Sequence, residues 1–337
     1  MKKLNSALMA TLLIASSIAY AIPTNKYVVY FSGWSAQDYT IDQIAATNAN
    51  VLNLAFGNVT DDYEITNVDG MLTPSKGTEW KEAPYNQWTN FKFQHPQVKV
   101  LLSIGGATYA RIWDTVLTEE SADTIANNMI ATLNTEYPVY EFDSSYIPHQ
   151  VGLVTLDGID LDVEIAAHRL TEQETANVTK LIHAIRKQLP AGKLLTMATF
   201  STAADPSSCQ TIDGPQCSYT GSTHSGEIIP VLQQAGADLD WVNNMAYDAG
   251  KNYKYQVSME NYASHLSPSK TVLGLSLDNQ WAAEGDFLED LADLEKKATW
   301  AKENGYAGSM VWSLGSDELH PQPADQVSDI AAISEHA

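Results

Sequence analysis

Asp157-Gly158-Ile159-Asp160-Leu161-Asp162-Val163-Glu164 alternates acidic and aliphatic residues from Ile159 onward. Along a β-strand successive side chains point to opposite faces. Asp160, Asp162 and Glu164 therefore share one face, each about 6.6 Å from the next, while Ile159, Leu161 and Val163 share the other. The aliphatic face suits packing against helices, so the acids must point the other way, into the centre of a closed sheet, with Glu164 last. Asp157 has the wrong parity for this ladder and is expected to support the strand end. Three buried neighbouring carboxyls cannot all ionise cheaply, because desolvation and like charge both oppose it. At least one is expected to remain protonated near neutral pH, which is the state needed to hand a proton to a leaving oxygen. No metal is expected, since Mg or Ca sites usually draw oxygen ligands from several segments.

Outward from this stretch, short β-branched runs alternate with helix-like segments. Eight strands are predicted: Tyr27 to Phe31, Val51 to Phe56, Val98 to Ile104, Gly158 to Val163, Leu194 to Phe200, Trp241 to Tyr247, Thr271 to Leu277 and Gly308 to Leu314. Amphipathic spacing predicts helices over Ala122 to Leu133, Glu172 to Leu189, Ile228 to Ala235, Met259 to Leu266, Phe287 to Lys302 and Ala324 to Ser334. Thr171 and Glu174 form a capping-box pattern at the start of the second of these, and Pro190 and Gly192 stop it. Eight strands alternating with helices imply an α/β TIM barrel, (β/α)8, in one domain. A doubly wound sheet has the weaker claim, because Ser32-Gly33-Trp34 follows the first strand where a G-x-G-x-x-G turn would be required. Active sites of such barrels form at the C-terminal ends of the strands. The long loops there, Gly57 to Trp80, Ala107 to Thr118 and Ser201 to Thr223, are expected to wall a cleft. Glu136 to Thr155 enters the fourth strand from the opposite rim, and a structural role is expected for it.

Lys2 and Lys3, an apolar run from Ala7 to Ile18, and Ala19 and Ala21 in A-x-A spacing read as a cleaved secretory signal over residues 1–21. The run is short against the roughly 20 residues needed to cross a bilayer. Residues 22–337 would then be the catalytic barrel, exported to the periplasm or beyond, and a monomer free of the membrane once the signal is removed. The sequence carries 41 acidic against 19 basic residues, a formal charge of -22, which would repel nucleic acid and anionic membrane surfaces. Cys209 and Cys217 are its two cysteines and enclose Asp213-Gly214-Pro215. In an exported chain such a pair suggests a local disulfide.

Asp157, Asp160, Asp162 and Glu164 resemble the D-x-x-D-x-D-x-E motif of glycoside hydrolase family 18, the chitinase family. Other matches follow in order along nearly the whole chain. Ser103-Ile104-Gly105-Gly106 is similar to the family's third-strand S-x-G-G, Met245-Ala246-Tyr247-Asp248 to its M-x-Y-D, and Met310-Val311-Trp312-Ser313 to its eighth-strand tryptophan segment. Met197 in the fifth strand also fits.

The resemblance implies a retaining, substrate-assisted glycosidase that uses no cofactor. Glu164 would be the proton donor, Asp162 would orient the substrate's 2-acetamido group, and Asp160 would share a proton with Asp162. Tyr247 would hydrogen-bond the acetamido carbonyl, with Asp248, Met245 and Met197 nearby and Trp312 as an apolar floor under a sugar. Trp34, Trp113 and Trp281 are candidate sugar platforms. The family's α+β insertion, where present, lies between strands seven and eight; the short Asp278 to Ala307 connection implies that it is missing, leaving an open groove and endo-type cutting of chitin or GlcNAc-containing oligosaccharides. The ladder is shared with endo-β-N-acetylglucosaminidases acting on N-glycan cores, which is the alternative activity. A non-catalytic chitin-binding lectin is the alternative of another class, and such proteins generally lose the acid that Glu164 supplies.

Overall fold

The computed structural model describes residues 21–67, 69–74, 83–250, 252–277, 289–315 and 322–337. Eight parallel strands close on themselves: β1 (Lys26–Ser32), β2 (Val51–Val59), β4 (Lys99–Gly105), β7 (Gly158–Val163), β8 (Leu194–Phe200), β9 (Trp241–Met245), β10 (Thr271–Ser276) and β11 (Gly308–Leu314), with β1 paired to both β2 and β11. The short β3 (Ile65–Asn67) runs antiparallel to the end of β2. Around the barrel lie α1 (Ile41–Ala46), α2 (Pro84–Gln94), α3 (Ala122–Leu133), α4 (Glu172–Gln188), α5 (Ile229–Ala235), α6 (Tyr255–His265), α7 (Leu291–Glu303) and α8 (Pro323–His336). This is the TIM barrel expected from the alternation of strand and helix. No helix among the described residues is long and apolar enough to cross a membrane.

Strand parity divides the core in two. Ile159, Leu161 and Val163 join the layer between barrel and helices, whereas Tyr30, Leu101, Ala198, Trp241 and Met245 fill the interior. The Thr171–Glu174 capping box forms in both directions at the start of α4. Cys209 and Cys217 are joined in a disulfide, with Cα atoms 5.4 Å apart.

Some boundaries differ from expectation. β9 stops at Met245, before Tyr247, and Asp248 takes a left-handed φ of 50°. The sixth helix starts four residues earlier than periodicity indicates, at Tyr255. The seventh starts at Leu291, where the Asp290 side chain accepts from Asp293 N–H; the expected start at Phe287 lies outside the described residues. Glu136 to Thr155 is an antiparallel hairpin, β5 (Tyr137–Phe142) and β6 (Pro148–Val154), laid against α2. That helix was not legible as one. Every residue from Tyr85 to Lys92 is buried, because hairpin and barrel cover it on opposite sides, and no amphipathic stripe results.

Candidate active site

The ladder sits where its parity places it. Asp160 and Asp162 are buried in the interior, and Glu164 follows the last residue of β7 at the C-terminal rim. Asp160 is held from four sides. Its Oδ2 accepts from Tyr30 Oη at 2.7 Å and Ser103 Oγ at 2.8 Å, and its Oδ1 from Thr196 Oγ1 at 2.5 Å and Asn243 Nδ2 at 3.5 Å. Burial pushes its pKa up, while the hydroxyl donors oppose that rise. A carboxyl surrounded by donors is best served as the carboxylate.

Asp162 differs from Asp160 in its surroundings. Burial first, then the charges of Glu164 and Asp160, push its pKa well above the usual carboxyl range, and it shares a hydrogen bond with Glu164. Glu164 is itself raised by burial, a rise moderated by the Asp162 hydrogen bond. The two form one coupled acid, whose protons belong to the pair. Proton sharing was expected between Asp160 and Asp162; the hydrogen bond instead joins Asp162 to Glu164, because donors already surround Asp160. The other oxygen of Asp162, Oδ1, is buried and meets no hydrogen-bond partner among the described residues.

The S-x-G-G segment packs against the ladder. Gly105 has φ 117°, and a Cβ there would lie 2.2 Å from the Asp162 carbonyl and 2.8 Å from the Trp113 ring. Gly106 has φ 73° and a Cβ would strike the Phe56 ring at 2.7 Å. The same Asp162 carbonyl accepts from Gly106 N–H at 3.1 Å and Trp113 Nε1 at 2.8 Å. Trp113 is thus fully buried and fixes the strand end, which corrects its reading as a sugar platform.

Asp162 and Glu164 open into a cleft of about 530 Å³. Trp312 stacks on Phe56 with ring centres 5.6 Å apart, and Tyr30 and Trp34 meet its ring at 5.8 and 6.2 Å. Trp34 is 46% exposed, so an apolar face remains available. Met245, Tyr247 and Asp248 line the opposite side with Phe200 and Ser201. Met197 does not line the cleft. It pairs with Leu161 in register and shares that residue's outward parity, so it is buried in the helix-facing layer; this corrects its reading as a substrate contact. Trp281 lies outside the described residues.

Asp157 stands at the other end of β7. Lys92 Nζ lies 2.6 Å and Lys99 Nζ 3.8 Å from its carboxylate, which also accepts from Val100 N–H at 2.9 Å. Sequence reading missed Tyr30 and Phe56 in the cleft. Both are inward-facing positions on ordinary apolar strands, and only the assembled barrel distinguishes them from core.

The family description Glycosyl hydrolases family 18 matches residues 26–287, a span from β1 through the ladder and the M-x-Y-D segment. The chain belongs to that family. Chitinase A1 of Niallia circulans is 22% identical to this family 18 chain over 322 residues, 80% of the chain and 40% of the relative. The chain therefore spans about 40% of the length of that curated relative. Among solved structures, the catalytic domain of psychrophilic chitinase B from Arthrobacter TAD20 matches with a TM-score of 0.65 at 15% identity, covering 93% of this chain and 96% of the other. Catalytic domain 2 of the Ostrinia furnacalis Group II chitinase matches with a TM-score of 0.63 at 15% identity, covering 94% and 97%. At these identities the structural matches establish the barrel fold.

Proposed function

We propose that this family 18 glycosidase is a chitinase that cleaves β-1,4-linked N-acetylglucosamine chains internally, with retention and with the substrate's acetamide as nucleophile. The observation that carries the reading is the Asp162–Glu164 pair with its unpartnered Asp162 Oδ1. Two carboxyls in hydrogen-bond contact are too close to serve as acid and nucleophile, which in two-carboxylate retaining enzymes stand about 5–5.5 Å apart. The internal nucleophile must then come from the sugar. A 2-acetamido N–H donated to Asp162 Oδ1 would satisfy that buried oxygen and aim the acetamido carbonyl at the anomeric carbon.

In the first step Glu164 donates its proton to the glycosidic oxygen. The bond from the anomeric carbon to that oxygen breaks, and the acetamido oxygen bonds to the anomeric carbon to give an oxazolinium. Asp162, as carboxylate, offsets its positive charge, and Tyr247 holds the acetamido oxygen. Water then attacks the anomeric carbon, Glu164 takes its proton, and the ring opens to the retained sugar. Trp312, with Phe56 and Tyr30 behind it, would carry the C–H face of the reacting sugar. The connection from β10 to α7 is short, which supports an open groove and endo action. Residues 1–21 are proposed to direct export.

The test is hydrolysis of an N-acetylglucosamine hexamer with time-resolved anomer analysis, alongside a high-mannose glycoprotein. Glu164→Gln is expected to lower kcat by about 10²–10⁴-fold, the usual range for a positioned acid–base, with oligosaccharide binding kept. Cleavage of the glycoprotein alone would replace the chitinase reading with the N-glycan activity, and inverted product would refute the mechanism.

A further inference from the structure

We propose that His224, on the loop from β8 to α5, is a positioning residue for Glu164: a cation held behind the Phe200 wall of the cleft that sets the pH range in which Glu164 acts. This role rests on Glu164 being the acid of the reaction proposed above. Phe200 lines the cleft together with Glu164 and Ser201. His224 does not line it, but its ring centre lies 4.2 Å from that of Phe200, with the two planes tilted by 38°. The imidazole is thus one ring's depth from the cleft, and an aromatic face at this distance accommodates a cation. The backbone around it is tied to the same wall. His224 N–H donates to Ser222 Oγ at 3.3 Å, and Ser222 Oγ lies 2.8 Å from the hydroxyl of Thr202, the residue after Ser201.

Glu227 supports the imidazole from within. Both of its carboxylate oxygens lie 3.1 Å from His224 Nδ1, and Oε2 also accepts from Leu170 N–H at 3.0 Å. The Glu227 side chain is only 3% exposed. A buried carboxylate is costly unless it is both hydrogen-bonded and paired with charge. Of the groups bonded to Glu227, Leu170 N–H is neutral, so only His224 can supply a positive charge. Leu170 belongs to the connection that leaves Glu164 for α4, so one carboxylate holds both the imidazole and the chain that follows the acid.

The charge reaches the acid. Burial pushes the Glu164 pKa up, and the rise is opposed by the Asp162 hydrogen bond, the Ala107 N–H and the charge of His224, the one cationic side chain among these influences. Other titratable groups surround the cluster. Asp162 is bonded to Glu164 from β7. The charge of Glu227 bears on His168, which is exposed beside Glu174 at the start of α4, and on Tyr262 of α6, on which Asp205 also bears. Tyr262 stays uncharged, because burial pushes its pKa well up. A cation behind Phe200 favours the Glu164 carboxylate, the form that takes a proton from water in the second step, and loosens the proton that the first step donates.

The experiment has two arms. In the first, kcat/KM on an N-acetylglucosamine hexamer is measured against pH for the wild type and for His224→Asn, which keeps a donor toward Glu227 but carries no charge. The limb on which Glu164 loses its proton is expected to move up by at least about 0.5 in pH, less than the shift of about 1–3 that a charge in direct contact produces. KM is expected to stay unchanged, since His224 does not line the cleft. In the second arm, the His224 imidazole is titrated by NMR in the wild type and in Glu164→Gln. Coupling between two sites is reciprocal, so the His224 midpoint is expected to fall in Glu164→Gln by a similar amount. This arm needs neither turnover nor a change at His224. An unmoved midpoint overturns the proposal, as does a His224→Asn profile lowered equally at every pH, the mark of a structural residue. A wild type that leaves the hexamer intact while the midpoint still falls would refute the chitinase reading and keep the coupling of His224 to Glu164.

Discussion

Replacing Asp157 with alanine isolates the one motif acid that faces away from the ladder. Its carboxylate lies 2.6 Å from Lys92 and 3.8 Å from Lys99 and accepts the Val100 N–H, while its own backbone bonds to β4 and β8. Lys92 and Lys99 are both buried. Lys92 keeps the Pro96 and Val98 carbonyls at 3.0 and 2.7 Å, which limits its loss, but the carboxylate shared by the two ammonium groups would be gone. Breaking a buried pair from one side costs about 3–5 kcal/mol. With an unfolding entropy of about 2.1 cal/mol/K per residue, or roughly 0.7 kcal/mol/K for a chain of this length, the melting temperature should fall by about 4–7 °C. Asp157→Asn keeps an acceptor for Val100 and should recover about 1 kcal/mol of that. Seven residue steps along the strand, about 23 Å at the usual rise, separate Asp157 from Glu164, so kcat measured well below the melting point should change by less than about threefold, within 1 kcal/mol of barrier. The assay pairs circular-dichroism melting with turnover of a soluble oligomer. An unchanged melting temperature with kcat lowered a hundredfold would place Asp157 in the chemistry and refute the reasoning.

Two further outcomes are expected. Asp162 has a folded-state pKa raised above its unfolded value of about 3.9, so its protonated form favours folding, and it costs stability as pH rises from the unfolded toward the folded pKa. Asp162→Asn should therefore match the wild type in denaturant unfolding below about pH 4 and become the more stable protein above it, the gap growing by at most about 1.4 kcal/mol per pH unit, while activity is lost; a gap that narrows with rising pH would contradict the assignment. Lys297 Nζ lies 2.5 Å from Glu289 and donates to the Ala246 carbonyl at 3.1 Å, one residue before Tyr247. Lys297→Met should lower kcat about tenfold by loosening Tyr247 and Asp248, well inside the penalty for a misplaced group. Adding Glu289→Gln should restore stability but not kcat, and recovery of both would make Lys297 a purely structural residue.

The barrel was legible because its strands obey simple rules. Parity alone separates Asp160, Asp162 and Glu164 from Ile159, Leu161 and Val163, and the structure keeps both the Gly158–Val163 bounds of β7 and the division of its faces. Parity would also have excluded Met197, whose register partner Leu161 points outward, had it been weighed above the motif match. Trp113 shows the opposite limit. Nothing in its loop announces that its indole N–H reaches across to the Asp162 carbonyl, since that contact depends on Gly105 bringing two backbones together. Helix α2 was missed for a related reason: burial of every residue from Tyr85 to Lys92 removes the periodic contrast by which a surface helix is recognised.

The ladder has a direction that the list of its acids does not convey. At its base, Asp160 is surrounded by Tyr30, Ser103, Thr196 and Asn243, all of which give hydrogens to it. A second carboxyl above a filled carboxylate is repelled by it and finds a proton worth keeping. That pushes the proton up the strand to Asp162 and into the bond with Glu164, where the cleft begins. Ser103 and Thr196 do not line the cleft, yet through their hydrogen bonds to Asp160 they set where the proton rests. Removing one donor would let Asp160 compete for it, so Ser103→Ala should move the pH dependence of turnover while leaving substrate affinity in place.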